Sequence, residues 1–418
     1  MGEYRIVGGK SLSGEVRVGG GKNAILPILA ATVLNGGNCV MHDCPKIADT
    51  FTSIEILEAI GCRTKWEAST LIVDSSTANC CEVPEKLALK MRSSFIFLGS
   101  ILGRFGSAKI SYPGGCQLGP RPVNLHLNAL KEMGVCFKEE HGYVLAQTDK
   151  VRGAHISLDF PSVGATQNIM LAAVLAEGET VISNAAKEPE VCDVEKFLVG
   201  MGAKVKGAGT DTIVIQGVAE LNDVTHVVMP DRIIAGTYLT AAAVTKGSCM
   251  LDNVNPKHMT PIIAKLREAG CKIQSTQNQI YLEAPEVIKS VKKIRTHPHP
   301  GFPTDMQPQF TVLLSVADGI SIVEETIFAS RTKHIDELTR MGADLTLVNG
   351  KIMVVRGVGR LTGATVEAAD LRSGAALILA GLCADGQTVV AESKHVERGY
   401  ESIEGDLSAL GAHINYIR

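Results

Sequence analysis

The sequence predicts an α/β protein of two lobes, each built from three repeated βαβαββ units. Three observations predict it. First, a helix ending in an apolar residue, a glycine and a small or apolar residue recurs six times in 418 residues: Ile60-Gly61-Cys62, Met133-Gly134-Val135, Met201-Gly202-Ala203, Ala269-Gly270-Cys271, Met341-Gly342-Ala343 and Leu410-Gly411-Ala412. The glycines step by 73, 68, 68, 72 and 69 residues, a regularity that marks an internal repeat. Each glycine supplies the left-handed C′ position that stops a helix. Second, an earlier helix with apolar residues at i, i+3, i+4 and i+7 precedes each of these endings. Third, two short strand-like runs separated by a turn follow them.

Taken in order, the earlier helices carry the stripes Leu26/Leu29/Ala30/Val33, Phe95/Leu98/Gly99/Leu102 and Ile169/Ala172/Ala173/Ala176. The later three carry Ala235/Tyr238/Leu239/Ala242, Phe310/Leu313/Leu314/Ala317 and Ala375/Ile378/Leu379/Leu382. Nearly all of these residues are aliphatic or small, which suits close helix packing and gives no cofactor box. Paired strands are expected at residues 203–206 with 212–216, 271–274 with 279–282, and 345–348 with 351–355. The last pair is joined by Asn349-Gly350, a strong hairpin signal. The sixth unit stops at Arg418 short of its last strand, and an unassigned strand-like piece, residues 4–7, lies at the opposite end. The simplest closure has that piece complete the final unit. One lobe is therefore expected at residues 22–230, and the other from residues 1–21 plus 231–418. A cleft between two such lobes is a natural ligand site.

A polar or charged residue stands at or near the start of each earlier helix: Lys22, Arg92, Ser162, Asp231, Asp305 and Arg372. Helix N-termini favour anions through their free N–H groups and the macrodipole. Six of them facing one cleft would form an anion trap.

Composition narrows the class. A content of 45% hydrophobic residues excludes a disordered chain, while 4% aromatics with a single Trp66 leave a core of Leu, Ile, Val and Ala. A net charge of −3 with no basic stripe argues against nucleic acid as the main ligand. Eleven cysteines without a C-x-x-C pair fit a reducing compartment. No apolar run reaches membrane-span length and the N-terminus lacks a signal-peptide core, so a soluble, cytoplasmic protein is expected.

Several residues stand out as chemical groups. Gly19-Gly20-Gly21-Lys22-Asn23 precedes a helix; it lets backbone approach a ligand and adds a cation, but it matches neither a Walker A loop nor a dinucleotide fingerprint. The stretch Pro113-Gly-Gly-Cys116-Gln-Leu-Gly-Pro-Arg121-Pro122 is stiff and sharply turning, and sets a cysteine near an arginine, which favours thiolate. Arginines at Arg92, Arg121, Arg331, Arg372 and Arg398 include several beside Gly or Pro turns or at a helix start. Asp305 reads either as a helix cap or as a reactive carboxylate. His297-Pro-His299 is a loop feature, and no cluster has metal-ligand spacing.

Together these stretches resemble the enolpyruvyl transferase family over essentially the whole chain. The matching pieces are Gly20-Gly-Lys-Asn-Ala24, Pro113-Gly-Gly-Cys116, Arg121-Pro-Val-Asn-Leu-His126, Pro161-Ser-Val-Gly-Ala-Thr166, Pro230-Asp-Arg232, Gly301-Phe-Pro-Thr-Asp-Met-Gln307, Asp370-Leu-Arg-Ser-Gly-Ala375 and Arg398-Gly-Tyr-Glu401. The resemblance implies a two-lobed inside-out α/β barrel with three units per lobe. It also implies transfer of the enolpyruvyl group of phosphoenolpyruvate to the 3′-hydroxyl of UDP-N-acetylglucosamine, the first committed step of peptidoglycan synthesis. It assigns Cys116 as proton donor, as the site of a covalent adduct and as the target of a fosfomycin-type inhibitor, and Asp305 as acceptor of the hydroxyl proton. Lys22, Asn23, Arg398, Arg331 and Arg372 would contact phosphoenolpyruvate. Arg92, Arg121, Pro122, Val123, Asn124, Leu125, Ser162, Val163, Gly164, Asp305 and Ile327 would contact the sugar nucleotide. No metal or organic cofactor is implied, and lobe closure with the Cys116 loop as a lid is expected.

Three positions depart from the family pattern: Asn124 stands where aspartate is expected, Phe160 where some relatives carry lysine, and Ile234 where an acidic residue is commoner. The shikimate-phosphate branch shares fold and phosphoenolpyruvate chemistry, but the Gly-Gly-Cys loop and residues 121–126 favour the sugar-nucleotide branch. A non-catalytic sugar-nucleotide sensor is the alternative from another class; Lys22, Cys116, Asp305 and Arg398 speak against it.

Overall fold

The computed structural model describes residues 2–114 and 123–417. Cys116, Arg121 and Pro122 lie outside the described residues.

The six helix-ending glycines all adopt the left-handed conformation, with φ of +97° at Gly61, +86° at Gly134, +95° at Gly202, +101° at Gly270, +90° at Gly342 and +92° at Gly411. In every case the next residue's N–H reaches back to a leucine carbonyl: Cys62 to Leu57, Val135 to Leu130, Ala203 to Leu198, Cys271 to Leu266, Ala343 to Leu338 and Ala412 to Leu407. This is the six-to-one bond of a Schellman ending, which satisfies a carbonyl that the helix itself leaves open. A side chain at the glycine would strain the left-handed backbone, so the sequence signal and the geometry have one cause.

Each ending leads into a small sheet. The strands His155–Ser157, Glu179–Ser183, Thr212–Gln216 and Lys204–Lys206 show the pattern: the first pair is parallel and the next two pairs are antiparallel. Alternate residues such as Ile213 and Ile215 are buried, as a one-sided sheet requires. Among the described residues five four-stranded sheets share this arrangement, and the sheet of Ser107–Ser111, Tyr143–Gln147 and Cys136–Glu140 keeps its antiparallel part, with a parallel bridge from Glu82 to Lys109. In the last sheet the third strand comes from the other end of the chain. Glu3–Val7 lies between Gln387–Ala391 and His413–Ile417, antiparallel to both, with Tyr4 stacked 5.1 Å from Tyr416. The hairpin turn Asn349-Gly350 has positive φ at both residues, and its second strand is Ile352–Arg356.

Chain contacts divide the described residues into two compact units. One holds residues 20–114 and 123–229; the other holds 2–19 and 230–417. In the first unit the helices Lys22–Ala31, Phe97–Phe105 and Val163–Ala173 form the centre of one apolar core. Gly99 permits the closest approach, because a Cβ there would stand 2.2 Å from the Asn168 carbonyl oxygen. The strand Val224–Val227 runs parallel to Asn38–His42, so the end of this unit is paired with its beginning. In the second unit Arg232–Val244, Gln307–Ser315 and Leu371–Cys383 pack on one another in a separate core. There Glu15–Arg17 supplies the parallel edge to Ser248–Asp252. Among the described residues no helix is long and apolar enough to cross a membrane.

Candidate active site

Each unit gathers its own set of the residues singled out above. In the first unit, Lys22 opens its helix directly after Gly20-Gly21. Gly20 is needed for close approach, since a Cβ there would lie 2.0 Å from the Asp43 carbonyl oxygen. The Lys22 ammonium is buried and bonded to Asp49 at 2.8 Å. Asp49 sits on the adjacent helix Ala48–Ala59 and is itself buried. Sequence reasoning missed it, because nothing local marks a partner 27 positions away. Asn23 follows Lys22 in the same first turn, half-buried. Arg92 opens a short 3-10 segment, Arg92–Ile96, ahead of the second central helix. Val123 is buried, Asn124 exposed and Leu125 half-buried at the start of Asn124–Glu132. Ser162 caps the helix Val163–Ala173 by accepting the Ala165 N–H, and Val163 and Gly164 form its first turn. Phe160 is exposed two residues before that cap.

The second unit holds the carboxylate. Asp305 lies in the 3-10 turn Thr304–Met306, whose N-cap is Pro303, and the helix that follows has Met306 as its N-cap, so Asp305 stands at neither cap position. It accepts from Arg331 Nη1 at 2.7 Å and from Arg372 Nη2 at 2.9 Å. Both arginines are almost wholly enclosed, at 5% and 4% side-chain exposure. Burial alone would raise the Asp305 pKa, but the charges of Arg372 and then Arg331, with their hydrogen bonds, outweigh it and hold the carboxyl well below the usual range. The pair of arginines is itself braced. Arg331 Nη1 also donates to Thr304 Oγ1 at 3.0 Å, and Thr304 in turn donates to the buried Glu325 at 2.9 Å. Glu325 further accepts from Thr296 and from the backbone N–H groups of Ile327 and Phe328, which fixes the half-buried Ile327. Arg372 hydrogen-bonds the phenol oxygen of Tyr400, whose hydroxyl is bonded to Thr237 at 2.8 Å. Two guanidinium nitrogens, Arg331 Nε and Arg372 Nη1, are buried with no hydrogen-bond partner among the described residues. A buried donor left this way costs about 1–3 kcal/mol, which an anionic oxygen would recover. Arg398 is half-buried in the turn after Ser393–His395.

The anion trap read from six helix starts is corrected in part. The first-turn amides of Arg232–Val244 are taken by the side chain of Asp231, which accepts from Ile233 and Ile234. Those of Leu371–Cys383 are taken by Asp370 in a capping box with Ser373. Two of the six starts already hold a carboxylate of their own, so an outside anion must be bound there by side chains instead. Asp370 was also missed, although Asp-x-x-Ser ahead of an apolar run is a legible N-terminal signal. Among the described residues no group of three His, Cys, Asp or Glu side chains could hold a metal ion. Burial raises the thiols of Cys39, Cys62, Cys249, Cys271 and Cys383 to about 12, so these are packing residues.

Comparison with known proteins agrees with this picture at the level of the whole chain. Residues 6–407 match the family described as EPSP synthase (3-phosphoshikimate 1-carboxyvinyltransferase). The UDP-N-acetylglucosamine 1-carboxyvinyltransferase 2 of Caldanaerobacter subterraneus subsp. tengcongensis is 51% identical over 99% of both chains. The UDP-N-acetylglucosamine 1-carboxyvinyltransferase 1 of Carboxydothermus hydrogenoformans is 46% identical over 100% of this chain and 99% of its own. Among solved structures, the enolpyruvyl transferase NikO of Streptomyces tendae superposes with a TM-score of 0.88 at 24% identity, covering 99% of this chain and 98% of NikO. An EPSP synthase of Acinetobacter baumannii does so with a TM-score of 0.75 at 19% identity, covering 100% of both. These two likenesses establish a shared mixed α/β fold. The chain belongs to the EPSP synthase family of enolpyruvyl transferases, on the branch of the UDP-N-acetylglucosamine 1-carboxyvinyltransferases.

Proposed function

We propose that this chain transfers the enolpyruvyl group of phosphoenolpyruvate to the 3′-hydroxyl of UDP-N-acetylglucosamine, releasing phosphate, as the first committed step of peptidoglycan synthesis. The observation that carries the reading is full-length likeness at 51% identity to a carboxyvinyltransferase of that sugar nucleotide. The cluster of half-buried Asp305 with the enclosed Arg331 and Arg372 supports the chemistry. We place the reaction in the cytoplasm, and read each lobe as an inside-out α/β barrel of three βαβαββ units that closes over its substrates with the Cys116 loop as a lid.

The addition begins with a proton delivered by the Cys116 thiol to the methylene carbon, which makes the adjacent carbon electrophilic. The sugar hydroxyl attacks that carbon and gives up its proton to Asp305. A tetrahedral ketal results; the Cys116 thiolate takes back a methyl proton, and the double bond re-forms as the C–O bond to phosphate breaks and phosphate leaves. Asp305 suits its task because its two arginines keep it ionised and ready to accept. Its proton affinity rises when those guanidinium groups turn part of their donor capacity to substrate oxygens. Arg331 Nε and Arg372 Nη1 are donors suited to a carboxylate or phosphate, and Lys22, Asn23 and Arg398 complete the phosphoenolpyruvate set. Arg92, Arg121, Pro122, Val123, Asn124, Leu125, Ser162, Val163, Gly164, Asp305 and Ile327 would hold the sugar nucleotide. General acid–base help supplies roughly 10²–10⁴-fold, so the cations must account for much of the remaining acceleration. A fosfomycin-type inhibitor would alkylate Cys116.

Phosphate release from phosphoenolpyruvate tests the proposal, with UDP-N-acetylglucosamine and shikimate 3-phosphate offered separately to wild type and Cys116→Ala. Release with the sugar nucleotide alone, largely lost in the variant, is expected. Release with shikimate 3-phosphate instead overturns the acceptor. Sugar-nucleotide binding without release from either overturns the enzyme.

A further inference from the structure

We propose that Glu325 is a positioning residue for both substrates: one buried carboxylate that sets the guanidinium plane of Arg331 through Thr304 and fixes Ile327 through backbone N–H groups. The inference rests on the transferase reading above, which gives Arg331 to phosphoenolpyruvate and Ile327 to the sugar nucleotide.

The six repeats supply the comparison. One or two residues past its central strand, each repeat sends a backbone N–H to the carbonyl just before that strand's antiparallel neighbour. The donors are Cys44, Tyr112, Ala185, Val254, Glu325 and Ser393; the acceptors are Ser69, Gly142, Asp211, Asn278, Lys351 and Gly2. The same backbone site thus carries five uncharged side chains and one carboxylate. Cys44, Ala185 and Val254 are buried there, and Glu325 is buried too, at 1% exposure. The sheet therefore does not require a carboxylate at this place, and burying one is costly unless hydrogen bonds compensate it.

Four donors meet the two oxygens. Oε1 accepts from Thr296 Oγ1 at 2.9 Å and from the N–H groups of Ile327 at 2.8 Å and Phe328 at 3.1 Å. Oε2 accepts from Thr304 Oγ1 at 2.9 Å. Arg331 settles the direction of that last bond, because its Nη1 meets the same hydroxyl at 3.0 Å. A guanidinium can only donate, so Thr304 accepts from Arg331 and gives its own proton to Glu325. The other Nη1 hydrogen goes to Asp305 at 2.7 Å. Both hydrogens lie in the guanidinium plane, so the two acceptors fix that plane and with it the direction of Nε–H. Nε is buried and has no partner among the described residues. Glu325 and Thr304 thereby aim the donor that would meet phosphoenolpyruvate. The Oε1 arm holds Ile327 in the same way, and the Thr326 N–H on Thr296 Oγ1 at 2.8 Å closes residues 325–328 around the carboxylate.

Glutamine at 325 separates the two arms. Its one oxygen keeps the three bonds of Oε1, and its NH2 replaces Oε2, where it cannot accept from Thr304. Alanine unties both arms, and the third repeat already carries Ala185 at the equivalent backbone site. Steady-state kinetics and thermal melts of wild type, Glu325→Gln, Glu325→Ala, Thr304→Val and Thr304→Ser test the proposal. Loss of one such bond is expected to raise the KM for phosphoenolpyruvate about tenfold in Glu325→Gln and Thr304→Val, with the KM for UDP-N-acetylglucosamine changed less than about twofold. Thr304→Ser should restore the wild-type value, and Glu325→Ala should raise both constants. A wild-type KM for phosphoenolpyruvate in Thr304→Val overturns the proposal, as does a Thr304→Ser no better than Thr304→Val. So does a Glu325→Gln that weakens both substrates alike, or a Glu325→Ala that leaves the sugar-nucleotide KM unchanged. A Glu325→Ala that fails to fold makes the carboxylate a structural residue and counts against the proposal. Failure of the wild type itself to turn over phosphoenolpyruvate with UDP-N-acetylglucosamine overturns the functional reading together with this one, whereas variants that behave as wild type leave that reading standing.

Discussion

Replacing Arg372 by leucine removes one of the two cations that Asp305 depends on. The half-buried carboxylate loses the Arg372 guanidinium and keeps that of Arg331, and Tyr400 loses the guanidinium that bonds its oxygen. Breaking an enclosed pair from one side typically costs about 3–5 kcal/mol, because the surviving charge keeps its desolvation penalty and loses its compensation. For a cooperative unit of roughly 200 residues, such as the one holding this cluster, each kcal/mol lowers Tm by about 2–4 °C. The expected drop is therefore roughly 6–20 °C, read as loss of ellipticity near pH 7.5. Asp305→Asn should also destabilise, since two enclosed guanidinium groups then share a neutral amide. The discriminating quantity is the double variant: if the pair is coupled as the 2.9 Å contact implies, the two losses fall short of additivity by about 2 kcal/mol or more. Additive losses within about 0.5 kcal/mol, or a drop below about 2 °C for Arg372→Leu, would refute the reasoning. Acid gives a second handle with a definite sign. The folded Asp305 pKa is depressed, so its contribution is fully present above the unfolded value of about 3.9 and is lost as pH falls through the lower folded value. The stability gap between wild type and Asp305→Asn should accordingly be flat from about pH 8 to pH 5 and close only below about pH 4.

Further outcomes follow from the same contacts. Asp370→Ala removes the carboxylate that accepts the Arg372 and Ser373 N–H groups, while the backbone N–H of residue 370 still reaches Ser373 Oγ; it should cost about 1–2 kcal/mol, with a fall in kcat that a merely global loss of stability would not give at low temperature. Gly217→Ala and Gly357→Ala should each destabilise strongly, because a Cβ would lie 1.7 Å from the Ala176 carbonyl oxygen and 1.6 Å from that of Ala317; expression yield and thermal melts report it. His126 and His334 are buried with pKa values lowered to about 3 and about 4, so the unfolded chain binds protons that the folded chain refuses. Stability should fall on acidification from about pH 6.5 by roughly 1.4 kcal/mol per pH unit for each histidine, and His126→Phe should remove one share of that slope in urea titrations.

The repeat was legible because one backbone requirement recurs: a left-handed residue at each helix end, met by Gly61, Gly134, Gly202, Gly270, Gly342 and Gly411. A second recurrence escaped notice because its cause is steric contact, not φ. Gly8, Gly217 and Gly357 each donate an N–H to a glycine carbonyl, at Gly386, Gly178 and Gly319, and each lies against the carbonyl oxygen of a residue just past the end of a helix interior. Nothing along the chain announces that contact. The site divides in the same way. Asp305 and the arginines were found from their setting among Gly and Pro turns and from family likeness, but their mutual pairing spans 26 and 67 positions and is a product of tertiary packing. Asp49 and Glu325 were missed for that reason, each being an ordinary acidic residue until the fold sets it beside Lys22 or Thr304. The helix-start reading went too far where it counted positions without asking which side chain already occupied the amides, as Asp231 and Asp370 do.

Mass analysis of the nucleotide after incubation with phosphoenolpyruvate tests the central claim most directly. The account predicts that UDP-N-acetylglucosamine gains one enolpyruvyl group for each phosphate released. An unmodified sugar nucleotide alongside an enolpyruvyl product of shikimate 3-phosphate, or no product from either acceptor, would contradict it.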